Sequence, residues 1–146
     1  MSSGQRVIIT RWVIIYILFF LLLHFIEYTT PSRLLSPPLF NFQLDITYWI
    51  YKLLHIPDFI VYNRAGAVLF DIFLFLTGIL TAIFPLRLYF IIPFSLLTIV
   101  YVITFNSFAA HHSHSMAGIM IVLLPFWVAD NSKSFLLWQG IRSFKI

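Results

Sequence analysis

Long apolar runs constrain this chain more than any other feature of its sequence. In the first run, Trp12 to Ile26 is apolar apart from His24. A helix needs about 20 predominantly apolar residues to cross the hydrocarbon core of a bilayer. We therefore predict an all-α integral membrane domain over residues 1–146. Its four predicted transmembrane helices are 7–28, 67–84, 88–105 and 112–129.

Composition excludes the soluble alternatives. The chain is 61% hydrophobic and 10% charged, whereas soluble domains contain about 45–50% apolar and about 25% charged residues. A soluble fold of this size has too few polar residues to cover that much apolar surface. The net charge is +4, but no basic stripe with interleaved aromatics occurs, so we predict a lipid bilayer and not nucleic acid as partner. Cysteine is absent from the sequence, which excludes disulfides and thiolate metal sites.

Two shorter segments, 45–56 and 134–146, have apolar residues on one helical face. In the first segment, Asp45 is a plausible N-cap and Pro57 stops the pattern. Neither segment is long enough to cross a bilayer, so we predict helices that lie in the membrane interface. The apolar positions of the first segment are Ile46, Trp49, Ile50, Leu53 and Leu54.

The distribution of Lys and Arg predicts the orientation, because cytoplasmic loops carry an excess of both. With four spans, the N-terminus, the 85–87 turn and the C-terminal tail share one side. That side carries Arg6, Arg11, Arg87, Lys133, Arg142 and Lys145. The other side carries Arg33, Lys52 and Arg64. We therefore expect a cytoplasmic N-terminus, in the inner membrane if the cell is bacterial.

This topology gathers ionisable groups at the outer side. His24 and Glu27 lie near the outer end of the first span, and Asp71 lies in the outer third of the second, with Arg64 as a plausible partner. Ionisable groups within spans normally face a bundle interior or a wet cavity. We therefore predict an outward-facing pocket. An alternative is that His24 and Glu27 only reach the lipid head groups. The residues predicted to build the pocket are His24, Asp71, Asn106, His112 and His114.

The histidine segment from His111 to His114 has three open interpretations. The side chains can be interfacial without chemistry, can exchange protons or bind a substrate, or can ligate a metal or haem. A metal site needs three or four converging ligands, and this chain has one cluster plus the isolated His24 and His55, so we assign no metal site. No phosphate-binding Gly loop and no G-x-S-x-G or H-E-x-x-H motif occurs.

Around this segment the sequence resembles a known membrane family. Asn106, the stretch His112-Ser113-His114-Ser115-Met116-Ala117-Gly118, and Asp130 after an apolar run resemble the membrane part of vitamin K-dependent gamma-glutamyl carboxylase and the bacterial proteins that share it, often called HTTM proteins. The segment 76–81 with the basic turn at 86–87, and the segment 137–142, resemble further parts of that domain. The resemblance covers most of this chain and the front half of the family's domain.

The resemblance implies a carboxylase-like scaffold in which a histidine binds or deprotonates a substrate at the outer face and a reduced quinone lies between helices. His112 and His114 are then the candidate catalytic residues, and Asn106, Asp71 and His24 bind substrate. The choice between the two histidines is open, because an alignment on Gly118 puts Ser113 at the family's position. The family's catalytic lysine lies on a helix beyond Ile146, so we expect no carboxylation by this chain alone and leave open whether it is an enzyme.

Two rival hypotheses belong to other classes. The chain can be a small non-enzymatic membrane protein that assembles with protein partners through its small residues, or a redox subunit that binds haem or quinone. Small residues allow two helices to approach closely within a membrane. The small residues concerned are Gly66, Gly78, Thr81 and Gly118.

Overall fold

The computed structural model describes residues 3–33, 52–85 and 87–109, together with Met120 and Leu123. Its regular elements in these ranges are all helical, which confirms the predicted all-α class. They are α1 (Ser3–Ile26), the short 3-10 helix η1 (Pro31–Arg33), α2 (Ile56–Ile60), α3 (Arg64–Ile83) and α4 (Leu88–Ala109).

Three stretches in the described ranges are long and apolar enough to cross a membrane. They are Gly4–Arg33, Arg64–Ile83 and Leu88–Phe105. The integral membrane class expected from hydropathy is therefore compatible with the structure, with three candidate spans. The predicted span at 112–129, apart from Met120 and Leu123, and the predicted interfacial helix at 134–146 lie outside the described residues.

Helix α3 is the centre of the bundle, because α1, α2, α4 and η1 all pack against it. Arg11, in the first half of α1, donates a hydrogen bond of 3.1 Å from Nε to the carbonyl of Ala82, near the end of α3. At the opposite end of the pair, the rings of Phe25 and Phe75 meet with centroids 5.9 Å apart. Helices α1 and α3 are thus antiparallel, and α4 also runs antiparallel to α3. Helices α1 and α4 therefore run in the same direction.

Burial in α1 follows one helical stripe. Ile14, Ile17 and Leu21 are fully buried against the bundle, at spacings that place them on one helix face. The other faces expose large apolar side chains, such as Trp12 at 67% and Phe19 at 56%. Exposure of this kind along a whole helix is expected where lipid covers the surface.

Two glycines of α3 allow neighbouring helices of the same chain to pack closely against it. A Cβ at Gly66 would clash with the backbone carbonyl of Phe59, so this glycine lets α2 approach the first turn of α3. A Cβ at Gly78 would lie 2.8 Å from Cε2 of Phe94, and it would also meet the side chain of Leu18. Gly78 therefore lies where side chains of α1 and α4 meet α3. The assembly hypothesis from the sequence assigns both glycines to contacts with protein partners.

Residues 52–60 differ from the sequence expectation. The structure ends the helical stretch at Leu53, turns through Leu54 and His55, and begins α2 at Ile56. Pro57, expected to stop the preceding helix, instead lies in the first turn of α2, where a helix does not need the missing N–H. His55 has a φ of 53°, in the left-handed region, which turns the chain between the two helical stretches. Residues 45–51 of the predicted interfacial helix lie outside the described residues.

The chain leaves α1 through a defined reversal. Thr29 N–H donates to the carbonyl of His24 at 2.9 Å, and Tyr28 N–H donates to the carbonyl of Phe25 at 3.4 Å. These two bonds, with Tyr28 at a φ of 61°, form a Schellman motif at the end of the helix. Glycine usually occupies this left-handed position. The reversal directs the next residues back towards α3, and η1 packs against that helix.

Candidate functional site

The carboxyl group of Asp71, on α3, is buried inside the bundle. Its residue is 4% exposed, and it lies seven residues into the helix, about 10 Å along the axis from Arg64. Oδ2 accepts hydrogen bonds from the backbone N–H of Ser32, at 3.1 Å, and from the Ser32 hydroxyl. Because Ser32 belongs to η1, residues 27–33, here called the fold-back segment, reach back into the bundle to the depth of Asp71.

The other oxygen of this carboxyl group is also buried. Oδ1 of Asp71 and Oγ1 of Thr30 are both buried, and the Thr30 side chain hydrogen-bonds to the carboxyl group. Thr30 is 0% exposed, and its side chain lies beside the same carboxyl group. The fold-back segment thus brings one carboxylate oxygen and one hydroxyl together in a site that is closed to solvent.

His24 connects α1 to α4. Its Nδ1 lies 2.6 Å from the hydroxyl of Tyr101, and the donor in this bond depends on the imidazole tautomer. The imidazole stacks on the ring of Phe105 with centroids 4.7 Å apart and an angle of 14°, and Phe20 meets it edge-on. A half-buried histidine is therefore fixed in one orientation by a phenol on one edge and an aromatic ring on one face.

Tyr101 lies between the histidine and the carboxyl group. It is 1% exposed, and its hydroxyl lies beside the Thr29 side chain and bonds to His24. Thr29 also donates its own hydroxyl to the carbonyl of His24, at 2.9 Å. Polar groups from α1, the fold-back segment, α3 and α4 thus meet at one end of the bundle. We call this set the polar cluster; its members are His24, Thr29, Thr30, Ser32, Asp71 and Tyr101.

Charged side chains flank the cluster on the side of the reversal. Glu27 is exposed. The guanidinium of Arg33 lies over the ring of Tyr28 at 4.2 Å and over the ring of Phe25 at 5.0 Å. Such cation–π contacts are worth about 0.5–1 kcal/mol at exposed sites and more when they are desolvated. Arg33 therefore holds the reversal closed instead of neutralising Asp71.

The sequence-predicted site residues divide into two groups. His24 and Asp71 both belong to the polar cluster. Asn106 lies in α4, one helical turn beyond Val102, and its side chain is outside the described part of the structure, as are His112 and His114. The partner of Asp71 is Ser32, whereas Arg64, the partner that the spacing suggested, is exposed.

No metal site is formed by the residues that the structure describes. They contain no group of three or more His, Asp or Glu side chains that could hold an ion by themselves. His55 pairs with Asp58 at 3.0 Å, but both side chains are exposed, with 82% and 67% of their surface accessible. His55 lies in the turn before α2 and Asp58 lies in α2, and the pair is not part of the polar cluster.

Sequence reasoning missed Ser32, Thr30 and Tyr101. Serine and threonine after a span are common in connecting loops, and a tyrosine within an apolar run suits a lipid-facing or interfacial position. One sequence feature could have indicated Thr30 and Ser32: the segment from Thr29 to Arg33 contains three hydroxyl residues around a single proline. Hydroxyl side chains next to a helix break are suited to satisfy polar groups within a bundle.

Comparison with known proteins adds no further constraint, since no family model, curated protein or solved structure matches this chain.

Proposed function

We propose that this multi-pass membrane protein binds the head group of a membrane-soluble ligand of the reduced-quinone class at the polar cluster. The observation that carries this proposal is the bonded pair His24 and Tyr101, set against Phe105 at the end of the bundle where Asp71 also lies. A quinone or quinol ring offers oxygens for hydrogen bonds and flat faces for stacking. An imidazole, a phenol and aromatic rings provide the complementary groups.

The position of the polar cluster is suited to a ligand that enters from the bilayer. His24 is half-buried, whereas the neighbouring Leu22 and Ile26 are exposed on the apolar surface of α1. A lipid-soluble molecule could therefore reach the imidazole edge without crossing the aqueous phase. Ligand sites in helix bundles are commonly built from side chains on facing helices, and this cluster uses side chains from α1, α3 and α4.

The carboxylase-like hypothesis places Asn106 and one of His112 and His114 in the same pocket. The direction of α4 supports this, because the helix passes Tyr101 towards the cluster end and finishes at Ala109. Helix α4 therefore ends, at Ala109, on the side of the bundle where His24 lies. Under this proposal His112 and His114 are the candidate proton-handling residues. The proposal concerns binding of the ligand and does not include a reaction.

A binding titration tests the proposal. Full-length protein in lipid nanodiscs is titrated with ubiquinol-1, and binding is followed calorimetrically. We expect saturable binding that is about three- to tenfold weaker in Tyr101→Phe and His24→Ala, the range that the loss of one hydrogen bond produces. Ser95→Ala is the matched control, since this buried hydroxyl on α4 lies outside the cluster.

Two results would contradict quinol binding at this site. The first is a wild type without saturable binding. The second is the same affinity in wild type, Tyr101→Phe and His24→Ala, which would indicate that the ligand binds elsewhere on the protein. Absorbance near the haem Soret band, measured on the same sample, separates this proposal from the haem-binding alternative.

A further inference from the structure

We propose that Arg11 and Arg87 bind the phosphate group of an acidic phospholipid, at the end of the bundle opposite to the polar cluster. The site lies where α1 meets the last turn of α3 and the turn that leads into α4. This inference does not depend on quinol binding, since no residue of the polar cluster takes part. It rests on the position of the two guanidinium groups, on the exposed side chains beside them and on the balance of charge at this end.

The two arginines are far apart in the sequence but belong to the same end of the bundle. Nε of Arg11 donates to the carbonyl of Ala82, in the last turn of α3, at 3.1 Å. The chain then turns, and the backbone N–H of Arg87 donates to the carbonyl of Phe84 at 3.1 Å. Both arginines are therefore anchored at the end of α3, Arg11 through its side chain and Arg87 through its backbone.

Both side chains can be reached from outside the protein, because Arg11 and Arg87 are exposed. The bond to Ala82 uses Nε of Arg11, and a guanidinium carries four further N–H donors on its two terminal nitrogens. The planar fork of these donors matches the oxygens of a phosphate group, which arginine binds in bidentate fashion. One donor thus fixes Arg11 against α3, and the terminal donors are of the kind that suits a phosphate.

Exposed aromatic rings place the two arginines at the level of the lipid head groups. Trp12, next to Arg11, is 67% exposed, and Tyr89, two residues after Arg87, is 64% exposed. Trp and Tyr are enriched at membrane–water interfaces, where their rings meet the hydrocarbon and their polar atoms meet water. Interfacial aromatic residues on both α1 and α4 therefore indicate that this end of the bundle lies at the depth of the lipid phosphates.

Apolar side chains beside the arginines favour a lipid over a free phosphate ion. Arg11 is level with Ala82, and α1 begins at Ser3, so about two turns of α1 project beyond the end of α3. Ile8 and Ile9 lie in this projecting part and are 56% and 47% exposed. A phospholipid offers an anionic group to the arginines and apolar chains to the isoleucines, and both contributions add to binding. A free phosphate ion offers only the first.

The balance of charge at this end is positive. The acidic residues of the described ranges lie towards the opposite end, and they are Glu27, Asp58 and Asp71. The predicted topology adds residues 130–146 to the side of Arg11, with three basic residues and one acid, Asp130. A single carboxylate cannot neutralise this group, so positive charge remains in excess wherever Asp130 lies. The same topology predicts a cytoplasmic location for this end, and the cytoplasmic leaflet is the one that carries anionic lipid.

Native mass spectrometry of lipid adducts tests the site. Delipidated full-length protein in detergent is titrated with phosphatidylglycerol, and with phosphatidylcholine of the same chain length as the zwitterionic reference. We expect phosphatidylglycerol to bind more tightly. Arg11→Gln and Arg87→Gln should each weaken its binding about fivefold, the effect of removing one arginine from an anionic membrane surface. Arg64→Gln should bind like wild type, because it removes the same charge from an exposed residue at the other end of α3.

Competition with ammonium phosphate distinguishes the two sources of a phosphate group. A molar excess of the salt should leave the phosphatidylglycerol adduct in place, and displacement of the lipid would overturn the proposal in favour of the free ion. Equal affinity in wild type, Arg11→Gln and Arg87→Gln would also overturn it, as would an equal loss in Arg64→Gln or equal binding of the two lipids.

The Arg87→Gln variant keeps the test decisive if Arg11→Gln does not fold. It changes an exposed side chain and retains the bond between Arg11 and Ala82, so the bundle should remain intact. Its affinity for ubiquinol-1 should equal that of wild type, because the polar cluster lies at the opposite end of the bundle. Lipid binding and quinol binding can therefore fail independently.

Discussion

Nδ1 of His24 and the hydroxyl of Tyr101 lie 2.6 Å apart, although the two residues are separated by 77 positions in the sequence. The bond joins α1 to α4, two helices that run in the same direction and both pack against α3. It adds a direct side-chain link between α1 and α4 to the packing of both helices on α3.

Tyr101→Phe should destabilise the bundle by about 1 kcal/mol, because the substitution keeps the ring and removes the hydroxyl that bonds to His24. Equilibrium unfolding in mixed micelles with increasing SDS measures the change. Tyr16→Phe is the control, since Tyr16 is 53% exposed and its ring contact with Phe20 does not need the hydroxyl. An equal effect of both substitutions would mean that the His24 bond contributes nothing to stability.

Ser32→Ala should cost about 1.5–3 kcal/mol in the free energy of unfolding, the range for a hydrogen bond to a charged group. The substitution deletes the hydroxyl donor to Asp71 and preserves the backbone N–H donor. The same SDS titration should show no loss for Ser95→Ala, whose hydroxyl has no partner among the described residues. If Ser32→Ala unfolds like wild type, the fold-back segment does not depend on this side chain.

Gly78→Ala should destabilise the protein by about 1–3 kcal/mol, as expected when a methyl group is forced into a filled space. Its Cβ would lie 2.5 Å from Cδ2 of Leu18 and 2.8 Å from Cε2 of Phe94. Gly4→Ala is the contrasting substitution, because nothing lies within 4 Å of its Cβ position and alanine favours a helix. A thermal melt that ranks the two variants in the opposite order would contradict the packing at Gly78.

Asn63→Ala should lower stability by about 1 kcal/mol through the loss of the N-cap of α3. The Asn63 side chain accepts hydrogen bonds from the backbone N–H groups of Ala65 at 3.0 Å and Gly66 at 3.2 Å. Asn63→Asp retains an acceptor in the same place and should restore most of the loss. Should the aspartate variant be as unstable as the alanine variant, capping is not the cause.

Gly4→Cys and Tyr62→Cys should react with a membrane-impermeant maleimide from opposite sides of the membrane. The first position lies at the start of α1 and is exposed, and the second lies between α2 and α3 and is 56% exposed. Because the sequence contains no cysteine, the protein without these substitutions gives no background labelling. The Lys and Arg distribution predicts that the Tyr62→Cys variant is labelled in intact cells and that the Gly4→Cys variant is labelled only after permeabilisation. Labelling of both variants from the same side would contradict the orientation.

Three of the four apolar runs in the sequence correspond to long helices of the structure. The run expected at 67–84 corresponds to α3 at Arg64–Ile83, and the run at 88–105 corresponds to α4 at Leu88–Ala109. Helix α3 begins earlier than the apolar run because Asn63 caps it. Capping depends on local hydrogen bonds, which a hydropathy scale does not measure.

The contacts of the candidate site were only partly predictable. Asp71 and His24 stand out as ionisable residues within apolar runs, so their burial in the bundle could be anticipated. The hydrogen-bond partners of these two residues could not be anticipated, because spacing along one helix relates Asp71 only to residues of the same helix such as Arg64. Ser32 becomes its partner through the left-handed turn at Tyr28, where the usual glycine is missing and the sequence therefore carries no signal.

The hydrogen bonds at the two ends of the α1 and α3 pair limit how these helices can move. Arg11 holds Ala82 at one end, and Ser32 holds Asp71 at the other. Sliding α1 along α3 by a single turn, about 5.4 Å, would break both attachments at once. Piston-like displacement of the first helix along α3 is therefore disfavoured, because the attachments at both ends resist it together.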